Sequence, residues 1–157
     1  MTTTNQPAPD FNLRSTAGEY QSLSSLRGQT VILAFFPAAF TGVCQAQLCT
    51  FNDSLSKLNE SNAKVFGISV DGPLALGAFG SQNNIAFPLL SDHQRTTITD
   101  YDITFANFAA TEGYTVAKRS VFIIDAEGMI RYRWIAPNPG VEPNYDEVIQ
   151  AAASLSA

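Results

Sequence analysis

The run Val31-Ile32-Leu33-Ala34-Phe35-Phe36 contains no polar side chain, and Pro37 closes it. A short apolar run rich in β-branched and aromatic residues predicts a strand buried on both faces, which requires a sheet with helices on either side. Directly after it, Val43, Leu48, Phe51, Leu55 and Leu58 recur every three to five residues. That spacing predicts a helix over 41–58 with one apolar stripe. A second buried strand is expected over 64–70 and ends at Asp71-Gly72-Pro73, which reads as punctuation. A helix over 73–83 follows, carrying Leu74, Leu76 and Phe79. A short strand over 87–91, a short helix within 92–101, a hairpin of 121–125 with 129–134 about Ala126-Glu127-Gly128, and a last helix over 143–154 complete the pattern. Upstream, residues 11–13 and 20–23 read as a small hairpin turned at Ala17-Gly18, and 24–28 as one helical turn stopped by Gly28. Residues 103–116 lack clear periodicity and are expected to be irregular. Alternating strands and helices make this an α/β chain with a mixed central sheet and flanking helices. Several α/β folds satisfy that description.

Composition narrows the function classes. A length of 157 residues suits one domain, 1–157, with a substantial core. The net charge of −5 argues against a nucleic-acid partner, which calls for basic patches. The longest apolar stretch is about half of a membrane span and contains a proline, so no membrane association is expected. The opening Met1-Thr2-Thr3-Thr4-Asn5-Gln6-Pro7 is polar and carries no export pattern, so a cytoplasmic location is expected. Two cysteines close in sequence, in such a setting, read as redox or metal chemistry before they read as a structural staple. Two cysteines and one histidine are too few for a structural zinc site.

Both cysteines, Cys44 and Cys49, lie in the predicted strand-to-helix transition. The first turn of a helix has unpaired N–H groups and the positive end of the macrodipole, and both favour a thiolate over a thiol. A free cysteine has a pKa of about 8.5, and such a site lowers it by one to several units. Cys44 is therefore the candidate nucleophile.

Pro37, Thr41 and Cys44 form a Pro-x-x-x-Thr-x-x-Cys pattern that resembles the active-site signature of the peroxiredoxins. The stretch Phe36-Pro37-Ala38-Ala39-Phe40-Thr41-Gly42-Val43-Cys44 is similar to the alkyl hydroperoxide reductase E-type branch. A second cysteine five residues on, Cys49, resembles the Q-type (bacterioferritin comigratory protein) branch. Pro9-Asp10-Phe11, Leu26-Arg27-Gly28 and Arg119-Ser120-Val121-Phe122-Ile123-Ile124-Asp125 match further family landmarks in order, so the similarity covers nearly the whole chain. The resemblance implies a thioredoxin-like fold with an N-terminal β-hairpin extension. It implies a thiol peroxidase that needs no bound cofactor, acts on hydrogen peroxide or an organic hydroperoxide, and is reduced by a thioredoxin-like or glutaredoxin-like donor. Homodimers are common in the family; Phe40, Phe105, Phe108 and Tyr114 are candidate apolar anchors or, equally, core.

The resemblance assigns roles residue by residue. Cys44 attacks the peroxide. Thr41 bonds the thiolate or a peroxide oxygen, Pro37 stiffens and shields the loop, and Arg119 stabilises developing charge. The backbone N–H groups of Val43 and Cys44 are further donors. Cys49 resolves the oxidised Cys44 as a disulfide. Each residue also has a plainer reading. Thr41 serves as a helix N-cap, Pro37 ends a strand, Arg119 is a surface ion-pair partner beside Lys118, and Cys49 packs as a small apolar residue. His93, in a polar stretch, reads as an exposed surface residue. The chain departs from the family at Gln47, where members often carry Glu, which puts in doubt a network in which a carboxylate orients the arginine. A rival function is a non-enzymatic thioredoxin-fold protein that senses redox state or binds copper through two thiolates; it leaves Thr41 and Arg119 without a purpose.

Overall fold

The computed structural model describes residues 3–155, except the side chains of Cys44, Leu55 and Ser56. The apolar run forms β3 (Thr30–Phe35), every residue of it buried. On one side it pairs in parallel with β4 (Ala63–Ser69), which pairs in parallel with β5 (Leu89–Ser91). On the other side it pairs antiparallel with β8 (Ser120–Ile124), which forms a hairpin with β9 (Ile130–Ile135). The N-terminal hairpin of β1 (Asn12–Ser15) and β2 (Tyr20–Ser22) adds to the free edge of β5, giving the order β2-β1-β5-β4-β3-β8-β9. This mixed sheet, with its hairpin extension and flanking helices, is the expected thioredoxin-like architecture.

Side chains alternate across β3 and divide the core in two. Ile32, Ala34 and Phe36 pack with Leu48, Phe51, Leu58, Leu76, Phe79, Val148 and Ala152 on the face covered by helices α1 (Gly42–Asp53), α2 (Leu55–Glu60), α3 (Pro73–Gln82) and α5 (Tyr145–Leu155). Val31, Leu33 and Phe35 pack with Phe66, Ile98, Tyr101, Val116 and Phe122 on the opposite face, under α4 (Thr96–Asp100). Each fully buried Leu or Phe contributes about 1.5–3 kcal/mol of transfer free energy. Gly67 in β4 allows α1 to sit close to the sheet. A Cβ there would lie 2.7 Å from Leu89 and 3.3 Å from Leu48.

Three local expectations need correction. The helix over 41–58 is two helices, because Ser54 leaves helical geometry at φ −94°, ψ 3° and its N–H bonds to Phe51 O and Thr50 O. The preceding Asn52-Asp53 offers polar side chains that compete with the helix backbone, and Asn52 is engaged elsewhere. Of the predicted stripe, Leu48, Phe51 and Leu58 are buried and Val43 is half-buried; the side chain of Leu55 lies outside the described residues. In α3, Leu76 and Phe79 are buried but Leu74 is 90% exposed. At about 100° per residue, Leu74 falls on the opposite face of that helix. The short helix expected within 92–101 is α4, which begins at Thr96 after the left-handed Arg95 at φ 63°. There the buried Asp92 carboxylate accepts the N–H groups of Thr97 (3.1 Å) and Ile98 (2.9 Å). Burial pushes the Asp92 pKa up, against the lowering effect of those two bonds.

Residues 103–116, expected to be irregular, contain a two-residue ladder of β6 (Thr104–Phe105) with β7 (Val116–Ala117), separate from the main sheet. Asn107, Ala109 and Ala110 all take positive φ between them. The rings of Phe105, Phe108 and Tyr114 pack on one another and against the core. Phe40 is the exposed member of the four candidate anchors, at 52%. Among the described residues no helix is long and apolar enough to cross a membrane.

Candidate active site

The C-terminal end of β3 leads through a six-residue connection, 36–41, into α1. Thr41 occupies the N-cap position in extended geometry, φ −99° and ψ 146°, but makes no side-chain capping bond. The first intrahelical bond runs from the Gln45 N–H to Thr41 O at 3.0 Å. The amides of Gly42, Val43 and Cys44 precede it, at the positive end of the helix dipole. Cys44 thus lies in the first turn of α1, as the sequence suggests; its side chain lies outside the described residues. Cys49 lies in the same helix, half-buried and not in a disulfide.

The loop is tied down at every step. Phe36 N–H donates to Ile68 O (3.0 Å), extending the β3–β4 ladder, and Pro37 is buried. Ala39 N–H donates to Asp71 Oδ2 at 2.8 Å. Phe40 is left-handed at φ 65°, an uncommon conformation for a bulky residue. Its ring meets Phe79 edge-on at 5.2 Å. Thr41 Oγ1 donates to Ala38 O at 2.9 Å. The Thr41 hydroxyl hydrogen is therefore spent within the loop, which leaves its oxygen to act as an acceptor toward any further partner.

The β3–β8 register, Phe35 opposite Ser120, places Arg119 at the same end of the sheet as this loop. The surface reading of Arg119 is overturned, because the residue is only 2% exposed. Its Nη1 donates to Gln47 Oε1 at 2.6 Å and its Nε to Pro139 O at 3.1 Å. Gln47 is fully buried on α1, three residues after Cys44. A neutral amide thus orients the arginine. On the amide's other side, the buried Nε2 has no hydrogen-bond partner among the described residues. Tyr145, at the start of α5, packs edge-on against Phe51 of α1 at 5.3 Å and feels the Arg119 charge. Burial, and then a 2.6 Å bond to Glu142, push the Tyr145 pKa far up, so it stays a phenol. A cavity of about 230 Å³ opens beside Arg119, lined also by Phe105, Lys118, Pro137 and Pro139. Among the described residues no group of three or more His, Cys, Asp and Glu is placed to hold a metal ion. His93 is exposed on the surface.

Two contributions were not legible as motifs. Gln47 figured in the sequence only as a departure, and the 72-residue separation from Arg119 hides the contact. Asp71 looked like a strand terminator. An acidic residue that follows a buried strand at the sheet end carrying the candidate nucleophile is the one signal that could have singled it out.

Comparison with known proteins gives the family. The profile of the AhpC/TSA family matches residues 4–133. A bcp protein of Coxiella burnetii is 35% identical over 144 residues, covering 92% of this chain and 94% of that one. Peroxiredoxin Bcp of Bacillus subtilis is 32% identical over 129 residues, 82% of each chain. The crystal structure of peroxidoxin BcpB from Mycobacterium tuberculosis superposes with a TM-score of 0.86 at 25% identity, covering 99% of both chains. The chain belongs to the AhpC/TSA family and is a peroxiredoxin, similar to the bacterioferritin comigratory (Q-type) proteins.

Proposed function

We propose that the chain reduces hydroperoxides at Cys44 and resolves the product with Cys49. The observation that carries this reading is the buried Arg119–Gln47 bond, which fixes a guanidinium against the helix that bears Cys44. The Cys44 thiolate attacks the terminal oxygen of the hydroperoxide. An S–O bond forms, the O–O bond breaks, and the leaving alkoxide or hydroxide takes a proton from water. Arg119 stabilises the charge developing on the leaving oxygen, and the amides of Val43 and Cys44 add donors. Thr41, its own hydrogen held by Ala38, accepts the hydroperoxide O–H and aligns it. Pro37, buried and without an N–H, helps keep water from the loop.

The resulting sulfenic acid condenses with the Cys49 thiol, forming the disulfide and releasing water. A thioredoxin-like or glutaredoxin-like dithiol in the cytoplasm returns both cysteines to thiols. Reduced protein supplied with thioredoxin, its reductase and NADPH should turn over hydrogen peroxide or cumene hydroperoxide many times. If the peroxide concentration decays no faster than without protein, the reading fails.

The disulfide step has a geometric consequence. Five residues along an α-helix rise about 7.5 Å and turn about 500°, leaving the Cα atoms about 8.7 Å apart. A disulfide needs Cα atoms within about 7 Å and facing Cβ vectors. Oxidation must therefore unwind α1 locally. Unwinding breaks backbone bonds worth about 0.5–1.5 kcal/mol each. It also breaks Gln45 Nε2 to Asn83 Oδ1 (2.6 Å), Asn52 Nδ2 to Asn84 O (2.9 Å) and Ala86 N–H to Asn52 Oδ1 (2.8 Å). Hydrogen exchange of the peroxide-treated protein should accelerate across residues 43–50 and at the amide of Ala86, relative to the reduced protein. Unchanged protection in a fully oxidised sample would rule out resolution by Cys49.

A further inference from the structure

At the C-terminal ends of β4 and β5, three polar side chains form a compact knot that the redox chemistry does not itself require. Ser69 and Ser91 are fully buried. Ser69 Oγ donates to Asp71 Oδ2 at 2.7 Å and accepts the Asp71 N–H at 3.2 Å. Ser91 Oγ donates to the Asp71 backbone carbonyl at 2.6 Å. The carboxylate is thus held from both ends of its own residue. The same oxygen, Oδ2, also accepts the N–H of Ala39, 32 residues earlier in the chain. Ala39 lies in the loop that joins β3 to α1. The next residue, Phe40, sits in a left-handed conformation that a bulky side chain adopts at a cost, so something outside the loop must hold it there.

We propose that Asp71 is a positioning residue for peroxide reduction. Its fixed Oδ2 anchors the loop of Pro37, Ala39, Phe40 and Thr41 to the sheet. The anchor sets where Thr41 and the first turn of α1 stand relative to Arg119, and it acts through acceptor geometry, not through charge. The inference rests on the peroxidase reading above. Two features of the bonding support it. A single oxygen receives both donors, so an amide oxygen can replace it without rearrangement. Both contacts are ordinary N–H and O–H donors to one acceptor oxygen, so neither requires the carboxylate's charge.

The test compares Asp71→Ala and Asp71→Asn with the parent protein. Two rates are followed in each: oxidation of the reduced protein by hydrogen peroxide, and alkylation of its thiols by iodoacetamide in a Cys49→Ser background. Alkylation needs the thiolate but not the alignment of Thr41 and Arg119. Asp71→Ala should slow peroxide oxidation about tenfold or more, with alkylation within about twofold of the parent. Asp71→Asn, which keeps an acceptor oxygen, should restore the peroxide rate to within about threefold. If Asp71→Ala does not fold, Ser69→Ala takes its place, since it removes one tether of the carboxylate; the same separation of the two rates is expected. Asp71→Ala at the parent peroxide rate overturns the proposal. So does an equal loss in Ala and Asn, or a parallel loss of alkylation and peroxide rates. A parent protein that consumes no peroxide would instead refute the peroxidase reading itself.

Discussion

Replacing Cys44 with Ser should abolish peroxide consumption. A serine hydroxyl is not ionised near neutral pH and is a poor nucleophile toward an O–O bond, whatever the helix dipole contributes. The loss should exceed about a thousand-fold in the rate of oxidation, which corresponds to more than about 4 kcal/mol of barrier. The exchange of sulfur for oxygen is small, and α1 is also held by the Gln47–Arg119 bond and the burial of Leu48 and Phe51. The melting temperature should therefore stay within a few degrees of the parent. Stopped-flow oxidation of the reduced variant, read against its melting curve, makes the measurement. A Cys44→Ser protein that consumes peroxide at the parent rate would move the chemistry elsewhere.

Arg119→Ala should slow the reaction roughly a hundred- to thousand-fold, the scale for removing one preorganised donor, or about 2–4 kcal/mol. The substitution also has a structural cost, because the buried Gln47 Oε1 and Pro139 O lose their donor. A buried polar group left unsatisfied costs about 1–3 kcal/mol. Rate and stability must therefore be separated by normalising the rate to the folded fraction below the melting transition. Arg119→Lys tests the geometry. A lysine keeps the charge but not the guanidinium fork that reaches both the amide and the carbonyl, so it should recover only part of the loss. If the rate per folded molecule is unchanged in Arg119→Ala while the melting temperature collapses, the arginine serves the fold alone.

The parts of the molecule that were legible in the sequence are those where one local rule dominates. The buried strands β3, β4 and β8 are built on apolar runs, 31–35, 65–68 and 121–124, and the turn at Gly128 (φ 90°) sits where the Ala126-Glu127-Gly128 pattern puts it. The start of α1 followed from the strand-to-helix change of period. Arg119 emerged only through resemblance, since nothing local to Lys118-Arg119 says that it folds inward. The break at Ser54 was hidden because the apolar stripe runs on to Leu58 across it. The ladder of Thr104–Phe105 with Val116–Ala117 depends on left-handed alanines, a conformation alanine does not advertise. The contacts that shape the site, Gln47 with Arg119 and Asp71 with Ala39, span 72 and 32 residues, and tertiary packing alone brings them together.

The roles of the two cysteines rest most directly on what one equivalent of hydrogen peroxide does to the reduced protein, read by intact mass and peptide mapping. The parent should lose about 2 Da and yield a cross-linked peptide joining Cys44 to Cys49. Cys49→Ser should instead gain about 16 Da, trapped at Cys44 as the sulfenic acid, and excess peroxide should carry it to the sulfinic acid at about 32 Da. A parent protein that gains oxygen at Cys44 while Cys49 remains open to alkylation would contradict resolution by Cys49. A protein whose cysteines are both unchanged after peroxide would contradict the account at its centre.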